Sequence, residues 1–335
     1  MNVGIVCENR QWVDHGEPFR YVAQGLNRLG HVVHVVAKAP WPLFDTPPDA
    51  IFVWNGVKGL WGQITGEARK AGIRTFIMER GFFDRFRFTQ IDRSGFNHTA
   101  SWASSLRDIS PRDVPLDGQA RFVGAWGKNP EPMRWHRFAT ANLAGGGFQT
   151  CATGYALVLC QVPNDSQLWG SELHHPGPLV RAVRDAAPRG LEVRVRAHPL
   201  SGWSSGGTDL KSVPLAEAVA GAAFCVTINS NAGNEALAMG CPVLCLGPAL
   251  YAMAGVARQT TLCDLPKAME EMAAGPSGAG DTSLKSASGE IRRGEPVPPG
   301  DATVRNYLYH LACRQWSNAS LRDGTPLRAL FEGEL

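Results

Sequence analysis

The alternation of short apolar runs with helix-forming segments constrains the fold of this chain most strongly. The first half contains the runs VGIVCE, HVVHVVAK, AIFVWN and RTFIMER, interspersed with the helical segments EPFRYVAQGLNRLG and LWGQITGEARKAG. The second half repeats the pattern with YALVLCQV, LEVRVRAHP, FCVTIN and PVLCLG. Because strands that alternate with helices form parallel sheets covered by helices, the sequence predicts an α/β fold with two Rossmann-like domains.

The domain limits follow from where this alternation stops and resumes. We predict a first domain over residues 1–148, a second over 149–303, and a C-terminal helix and tail over 304–335 that packs back on the first domain. Residues 81–121 lose the alternation and predict long loops with short elements, and residues 275–302 are rich in Gly, Ser and Pro and predict a mobile loop. A helix, EPMRWHRFATANL, and a linker, AGGGFQTCATG, are predicted between the two series. Two such domains would form a ligand cleft between the carboxyl ends of their sheets.

The composition excludes several classes of protein. No apolar run reaches about 18 residues, so no transmembrane helix is predicted. The N-terminus, MNVGIVCENR, enters a strand without a basic leader, which predicts a cytoplasmic protein with no signal peptide. The net charge of +3 is too small for a polycation that binds nucleic acid through overall charge. The cysteines form no C-x-x-C pair, and those inside apolar strands predict buried free thiols without metal or disulfide: Cys7, Cys160, Cys225 and Cys245.

The segment CVTINSNAGNEALAMGCPVLCLG predicts a strand, a polar turn, a very short helix and a second strand. The start of a helix offers backbone N–H groups and a positive dipole end, which suit an anion. We therefore predict that Ser230 and Asn231 surround a nucleotide phosphate and that Glu235 accepts hydrogen bonds from the ribose. The alternative for Glu235 is a first-turn acid that only stabilises the helix dipole.

Two other polar clusters follow strands of the second half. QVPNDSQ carries Asp165, and RAHP carries Arg196 and His198. Because parallel strands end at the same edge of a sheet, these clusters should converge with the turn at Ser230. Arg196 would add a forked contact to phosphate or carboxylate. Taken singly, Asp165 is also compatible with an Asx turn, and His198 with a residue that only ends a strand.

The first half contributes a segment rich in arginine and phenylalanine, ERGFFDRFRFTQIDRSGFN. Glu79 ends a strand and should point toward the cleft, and Asp92 lies in a turn-like setting. Both acids could simply be solvated or paired with nearby arginines such as Arg85 and Arg87. Acids of one domain that face a phosphate site in the other would instead indicate group transfer across the cleft.

The second-half clusters, together with MERGF and TQIDRSGFN, resemble the capsular polysaccharide β-Kdo transferases, which are GT-B glycosyltransferases that use a CMP-activated sugar. The resemblance covers roughly residues 76–255. It implies that Asp165 is the essential carboxylate and that Asp92 is its acid/base partner. It also implies that His198, Ser230 and Glu235 contact the donor nucleotide. From the residues themselves we add a catalytic role for His198 and assign Arg196 and Asn231 to the donor nucleotide. The residues assigned to the acceptor, in the arginine- and phenylalanine-rich segment and at its borders, are Glu79, Arg85, Arg87 and Asn97.

The function implied by this resemblance is sugar transfer from a CMP-Kdo-like donor on the second domain to a saccharide or other hydroxyl acceptor on the first. No metal and no cofactor besides the nucleotide sugar is expected. The resemblance favours retention of configuration through a glycosyl intermediate on Asp165, whereas the residues alone leave a single, inverting displacement open.

Three alternatives remain from the sequence. The segment from Arg80 to Phe96 could bind nucleic acid, with phosphates on arginine and bases on phenylalanine, as in transferases that act on hydroxylated bases of phage DNA. The chain could be a non-catalytic sugar-phosphate binding protein of polysaccharide assembly. A sugar-nucleotide epimerase could also use the same fold without an acceptor site.

Overall fold

The computed structural model describes residues 1–8, 17–83, 85–108, 154–205, 209–274, 299–312 and 314–332. The described residues up to 108 and from Tyr309 onward form one compact unit, and those from 154 to Leu308 form a second. The helix predicted in EPMRWHRFATANL, nearly all of the linker AGGGFQTCATG, and the predicted limit at residue 148 lie outside the described residues.

The strands, in chain order, are β1 (Asn2–Cys7), β2 (Val32–Ala37), β3 (Ala50–Trp54), β4 (Arg74–Arg80), β5 (Phe88–Asp92), β6 (Tyr155–Leu159), β7 (Val193–Arg196), β8 (Ala222–Thr227), β9 (Val243–Cys245), β10 (Arg258–Gln259) and β11 (Trp316–Ser317). The helices are α1 (Glu17–Arg28), α2 (Gly59–Lys70), α3 (Pro176–Ala186), α4 (Leu215–Ala220), α5 (Ala232–Ala238), α6 (Leu265–Ala274), α7 (Pro299–Ala312), α8 (Asn318–Asp323) and α9 (Thr325–Glu332). Short 3₁₀ turns cover Asn97–Thr99, Ala103–Asp108 and Ser166–Leu168.

The sheet of the first unit has the order β11-β5-β4-β3-β1-β2. Strands β1 to β4 pair in parallel, as predicted, but β5 pairs antiparallel with β4 and β11 pairs antiparallel with β5. The strand β5, all of whose residues are buried, is one of the short elements expected within residues 81–121. Its antiparallel pairing was not predicted. An antiparallel neighbour needs only a short connection and no crossover helix, so the βα alternation did not reveal it.

The C-terminal segment completes the core of the first unit. Leu321, Leu327 and Leu330 pack with Leu26 of α1 in one buried cluster. Gly25 lies so close to α8 that an added Cβ would be 2.0 Å from the Leu321 carbonyl oxygen. The short elements β11, α8 and α9 were not predicted individually, because each is shorter than the window in which hydrophobic periodicity is read.

The sheet of the second unit is parallel throughout its described strands, in the order β10-β9-β8-β6-β7. Its core includes Phe224 of β8 and Leu179 of α3. The helix predicted in the opening motif is present and short, covering Ala232–Ala238. The helix α6 was not predicted, and α7 begins at Pro299, inside the loop predicted over residues 275–302.

The thiols of Cys7, Cys160, Cys225 and Cys245 are buried and free, as predicted. Burial raises the pKa of Cys160 to about 12 and that of Cys245 to about 12, which keeps both thiols protonated at neutral pH. Within the described ranges, no helix combines the length and the apolar character needed to cross a bilayer.

Candidate functional site

The carboxyl ends of β6, β7 and β8 lie level at one edge of the second sheet. Leu159 of β6 pairs with Arg196 of β7 on one side and with Thr227 of β8 on the other. The chain leaves β6 toward β7 and later returns to β8 on the opposite side. Such a change of direction is the topological switch point at which open α/β sheets bind ligands. The three loops that carry the predicted donor residues therefore begin side by side.

A buried pair of amide side chains joins two of these loops. The Gln161 side chain donates to Asn229 Oδ1 at 2.9 Å, and Gln161 Oε1 accepts from the Asn229 backbone N–H at 3.3 Å. Asn229 Nδ2 also donates to the carbonyl oxygens of Gln167 at 2.6 Å and Pro248 at 3.1 Å. The Asn229 side chain thus fixes the ends of β6, β8 and β9 relative to one another.

Asp165 lies in the loop after β6 and caps the 3₁₀ turn that follows it. Its Oδ1 accepts from the Gln167 backbone N–H at 2.9 Å and from the Ser166 hydroxyl at 3.4 Å. Its Oδ2 accepts no hydrogen bond from the part of the chain that the structure describes. The half-buried carboxylate is therefore held through one oxygen and presents the other, which is the arrangement required of a nucleophile or a base.

His198 lies in the loop after β7. Its Nδ1 accepts from the Leu200 backbone N–H at 3.2 Å. A nitrogen that accepts carries no proton, so a neutral imidazole with this contact carries its proton on Nε2. The Asp209 carboxylate shapes the same loop, because its Oδ1 accepts from the backbone N–H groups of Ala197 and Lys211, each at 3.0 Å.

Arg196 at the end of β7 interacts electrostatically with the acid of the helix α5. Burial lowers the pKa of Arg196, and the negative charges of Glu235 and Asp209 oppose that shift. Arg196 Nε donates to the Val213 carbonyl at 3.1 Å, which orients the guanidinium. Burial raises the pKa of Asp209, but the hydrogen bonds that it accepts outweigh burial and lower the pKa overall. Arg196, which is predicted to contact the phosphate, and Glu235, which is predicted to contact the ribose, therefore interact electrostatically.

The start of α5 differs from the prediction. Ser230 Oγ accepts from the Ala232 backbone N–H at 3.2 Å, and the Ser230 carbonyl accepts from that of Gly233 at 2.9 Å. The next two N–H groups donate to the Asn231 carbonyl. The expectation of free N–H groups here was wrong, because the turn caps itself. The Ser230 hydroxyl still has a proton to donate, so a phosphate contact at this turn would come from side chains.

The Tyr251 side chain packs against the turn that begins at Ser230. Its hydroxyl donates to the Ser230 carbonyl at 2.8 Å. A Cβ at Gly233 would lie only 2.7 Å from Cζ of the Tyr251 ring, which is fully buried. Glycine is therefore required at position 233 by close approach, because a buried ring cannot move aside cheaply.

Glu235 stands at the end of a chain of side-chain hydrogen bonds. The buried Tyr307 hydroxyl donates to Asn234 Oδ1 at 2.6 Å, and Asn234 Nδ2 donates to Asn231 Oδ1 at 3.1 Å. Asn231 Nδ2 then donates to Glu235 Oε1 at 3.5 Å. Asn231 and Asn234 are buried, whereas Glu235 is half-buried at the edge of the sheet.

In the first unit, Asp92 organises the loop that follows β5. Its Oδ1 accepts from the backbone N–H groups of Ser94 at 2.7 Å, Gly95 at 3.0 Å and Ser101 at 2.9 Å. Its Oδ2 accepts from the Ser101 hydroxyl at 2.6 Å. Asp92 thus ends a buried strand and clamps a loop. Its Oδ2 faces the Ser101 hydroxyl, and a hydroxyl can reverse this hydrogen bond and accept a proton from a protonated Oδ2.

Glu79 and Arg85 form a partly buried ion pair. Arg85 Nη2 lies 3.8 Å from Glu79 Oε1, which also accepts from the Arg80 backbone N–H at 2.8 Å. The alternative reading of Glu79 as an acid paired with a local arginine is therefore realised. Arg85 Nε is buried, and within the ranges that the structure describes it has no hydrogen-bond partner.

Gln90 connects this ion pair region to Asn97. Its Nε2 donates to the Arg80 carbonyl at 2.7 Å and lies 3.5 Å from Asn97 Oδ1. Among the described residues, its buried Oε1 has no hydrogen-bond partner. Arg87 lies on the surface nearby. Gln90 thus links the end of β4, which carries Glu79, to the turn at Asn97.

The phenylalanines of this segment are mostly core residues. Phe82, Phe83, Phe88 and Phe96 are buried, and only Phe86 is strongly exposed, at 71%. The expectation that these rings stack on nucleic-acid bases was therefore wrong for four of the five, because their burial in the first unit leaves no accessible face.

A shallow pocket open to solvent lies beside Asp92 in the first unit. It is lined by Ile91, Asp92, Arg93, Ser101, Trp102, Arg314, Trp316 and Leu330. The Arg314 guanidinium lies 5.4 Å from the centre of the Trp102 ring. Asp92 is the predicted site residue that this pocket includes.

Several residues that shape the candidate site were not predicted: Gln161, Asn229, Asn234, Tyr251 and Tyr307. The two amides at positions 161 and 229 directly follow apolar strands, and a polar side chain there must find a buried partner. That signal was readable in the sequence, although it does not name the partner. Nothing in the sequence near Tyr307 indicates its contact with Asn234, 73 residues away.

Comparison with known proteins matches the second half of the chain to a family. Residues 149–274 match the family of capsule polysaccharide biosynthesis proteins. No curated protein matches the chain. The matched region contains the loops that carry Asp165, His198 and Glu235.

Solved structures also resemble the chain at low sequence identity. The KpsC β-Kdo 2,7 transferase of Thermosulfurimonas dismutans is 14% identical to this chain, with a TM-score of 0.51. The match covers 99% of this chain and 100% of the transferase chain. The KpsC β-Kdo 2,4 transferase of the same organism is 18% identical, with coverage of 80% and 90% and a TM-score of 0.46. The Methanocaldococcus jannaschii UDP-GlcNAc 2-epimerase, in complex with UDP-GlcNAc and UDP, is 11% identical, with coverage of 91% and 98% and a TM-score of 0.38.

The likeness to the 2,7 transferase extends over essentially the whole chain and concerns the fold. The predicted α/β fold with two Rossmann-like units is confirmed. The resemblance read from the sequence motifs is confirmed as well: this chain has the GT-B-type fold of a β-Kdo transferase, and its residues 149–274 match the capsule polysaccharide biosynthesis family.

Proposed function

We propose that this protein is a glycosyltransferase that moves a sugar from a nucleotide-sugar donor to a hydroxyl group of a saccharide. The observation that carries the proposal is the alignment of three loops at the switch point of the second sheet. They begin at one edge of the sheet and carry the Asp165 carboxylate, the Arg196 guanidinium, the His198 imidazole and, in the helix after the third loop, the Glu235 carboxylate. All of these residues lie inside the region that matches the capsule polysaccharide family.

The donor that we propose is a CMP-activated sugar of the Kdo type. Glu235 accepts hydrogen bonds from the ribose hydroxyls, and Arg196 supplies positive charge for the phosphate. The Ser230 hydroxyl and His198 Nε2–H donate to phosphate oxygens, a role that side chains take because the first-turn N–H groups are engaged. The motif likeness to β-Kdo transferases supports CMP over other nucleotides.

The chemistry that we propose runs through Asp165. Its Oδ2 attacks the anomeric carbon as the bond from that carbon to the phosphate oxygen breaks, and the nucleotide leaves with the bonding electrons. The acceptor oxygen then attacks the same carbon, and the Asp165 carboxylate is released. Two displacements retain the configuration. His198 stabilises the departing phosphate through its Nε2–H.

The acceptor site that we propose lies in the first unit. The ion pair of Arg85 with Glu79 and the position of Gln90 beside Asn97 support this placement, because they group polar side chains at the end of β4. Asp92 is proposed to take the acceptor proton on Oδ2, with the Ser101 hydroxyl turning from donor to acceptor as it does so. A saccharide is favoured over nucleic acid as acceptor, because the buried phenylalanines offer no stacking surface.

The proposal is tested by nucleotide release from purified protein supplied with CMP-activated or UDP-activated sugars, with and without saccharide acceptors. We expect release of CMP that is lost in Asp165→Asn while CMP binding by calorimetry is preserved. The matched control is Asp185→Asn, which changes an exposed carboxylate at the end of α3 and should leave release unchanged. A wild-type protein that binds CMP but releases none from any donor would instead identify a non-catalytic binding protein.

A further inference from the structure

We propose that Tyr307 and Asn234 are positioning residues for Glu235, and that they set the preference of the nucleotide site for a ribose with free hydroxyls. This inference rests on the proposed function, because it assigns the orientation of the carboxylate that contacts the ribose. It is carried by one geometric feature, the chain of hydrogen bonds that runs from α7 through two buried asparagines to Glu235.

Every hydrogen bond in this chain points the same way. A tyrosine hydroxyl that donates to Asn234 Oδ1 leaves Asn234 Nδ2 to donate onward to Asn231 Oδ1. Asn231 then has only its Nδ2 to offer to Glu235 Oε1. The orientation of each amide therefore depends on the one before it, and the first is set by Tyr307. Aligned hydrogen bonds of this kind polarise and strengthen one another.

Burial makes the chain a fixed structure. The Tyr307 side chain is 1% exposed, Asn234 3% and Asn231 7%. Burial also raises the pKa of Tyr307 well above its ordinary value, so its hydroxyl keeps the proton that it donates. A buried side-chain amide that loses its hydrogen-bond partner either leaves a polar atom without a hydrogen bond or flips, so that its oxygen and nitrogen exchange places. Loss of the Tyr307 hydroxyl would thus free both amides to flip, and Asn231 would then present an oxygen to the Glu235 carboxylate.

The orientation of Asn231 affects the contact of Glu235 with the ribose and not the contacts with the phosphate. An Asn231 side chain that donates to Oε1 holds the carboxylate in one orientation, in which Glu235 meets the ribose hydroxyls. A reversed amide would repel the carboxylate and turn it away. Contacts to the phosphate do not pass through this chain, since they belong to Ser230, Arg196 and His198. Removal of the Tyr307 hydroxyl should therefore weaken recognition of the sugar hydroxyls and spare the phosphate.

The test uses CMP and 2′,3′-dideoxy-CMP as a pair of probes that differ only in the ribose hydroxyls. Calorimetry on the full chain should show that wild type prefers CMP by about tenfold, the effect of a hydrogen bond to a charged group. Glu235→Gln should bring the two affinities close together. Tyr307→Phe should lower the affinity for CMP by about three- to tenfold and leave that for the dideoxy analogue unchanged.

A matched control is Tyr155→Phe. The Tyr155 hydroxyl makes a buried hydrogen bond of the same 2.6 Å length to the Ala218 carbonyl, away from the chain. This variant should lower the melting temperature to a similar extent but leave the ratio of the two affinities at the wild-type value. If Tyr307→Phe fails to fold, Asn234→Asp replaces it, because it removes the Nδ2 donor while keeping the size of the side chain.

The outcomes separate the inference from the function on which it rests. If Glu235→Gln leaves the ratio of affinities unchanged, the ribose contact is wrong and the inference falls with it. If Glu235→Gln abolishes the preference but Tyr307→Phe does not, the site stands and the inference is overturned. Equal weakening of both probes by Tyr307→Phe would show general damage to the site and would also overturn it.

Discussion

Gln161 and Asn229, 68 residues apart, exchange two hydrogen bonds beneath the carboxyl edge of the second sheet. Both side chains are buried, at 5% and 6% exposure. Together they join the loop of the candidate nucleophile to the turn of the nucleotide site. A group-transfer enzyme needs such rigidity, because a misplacement of about 1 Å between reacting groups can cost a hundredfold in rate.

Replacement of Asn229 by alanine should therefore destabilise the second unit. The change leaves the Gln161 amide and the carbonyls of Gln167 and Pro248 without their partner. We expect a loss of about 2–4 kcal/mol in the free energy of unfolding, measured by urea denaturation. Gln259→Ala, which removes one long hydrogen bond near the surface, should cost less than about 0.5 kcal/mol. Similar losses in both variants would contradict a structural role for the pair.

Replacement of Glu235 by alanine should weaken CMP binding by about 1–3 kcal/mol, the value of a hydrogen bond to a charged group. Isothermal titration calorimetry measures this directly. The control is Glu217→Ala, which removes an exposed first-turn glutamate from the neighbouring helix α4 and should not affect binding. An unchanged affinity in Glu235→Ala would show that this carboxylate serves only the helix dipole.

Incubation with donor and without acceptor should leave a sugar on the wild-type protein. We expect intact-protein mass spectrometry to show an adduct of one sugar, absent from Asp165→Asn, because Asp165 Oδ2 forms the glycosyl ester. Turnover of the donor to a product of inverted configuration, with no adduct, would mean that Asp165 acts as a base in a single displacement.

Charge reversal at Arg85 and Arg87 should impair transfer while nucleotide affinity stays at the wild-type value. Arg85 pairs with Glu79, and Arg87 lies on the surface of the same segment of the first unit. The comparison is Arg28→Glu with Lys70→Glu, two exposed cations of the same unit that give the same change in net charge. Parallel losses of transfer and of nucleotide binding would show that the arginines only support the fold.

Asp209 should make stability depend on acid pH. Its folded pKa is lowered, because accepted hydrogen bonds outweigh the effect of burial. A lowered folded pKa gives stability that is present above the unfolded value, about 3.9, and that is lost as the pH falls through the folded value. The melting temperature of wild type should thus exceed that of Asp209→Asn at pH 6, and the difference should shrink toward pH 3. A constant difference would contradict this assignment, and Asp185→Asn, at an exposed carboxylate, should show none at either pH.

The sequence by itself determined the α/β architecture and the ends of strands at which the candidate residues lie. Strands such as β1 and β6 are continuous apolar runs between helical segments, and that periodicity is a local property of the chain. Because parallel strands end at one edge, the start of the loops that carry Asp165, His198 and Ser230 at the same edge also followed from the order of the motifs. Strands and helices were predicted reliably where a segment is long enough to show the hydrophobic periodicity of its secondary structure.

Only the tertiary structure decided which polar groups are engaged. The antiparallel β5, the Gln161–Asn229 pair and the contact of Tyr307 with Asn234 depend on the order of strands and on partners far away in sequence. The turn at Ser230 has the composition of an anion site, yet its own side chain and carbonyl occupy the N–H groups. A segment's sequence specifies its hydrogen-bond donors and acceptors, whereas their partners are a property of the folded core, in which nearly all buried polar groups are hydrogen-bonded.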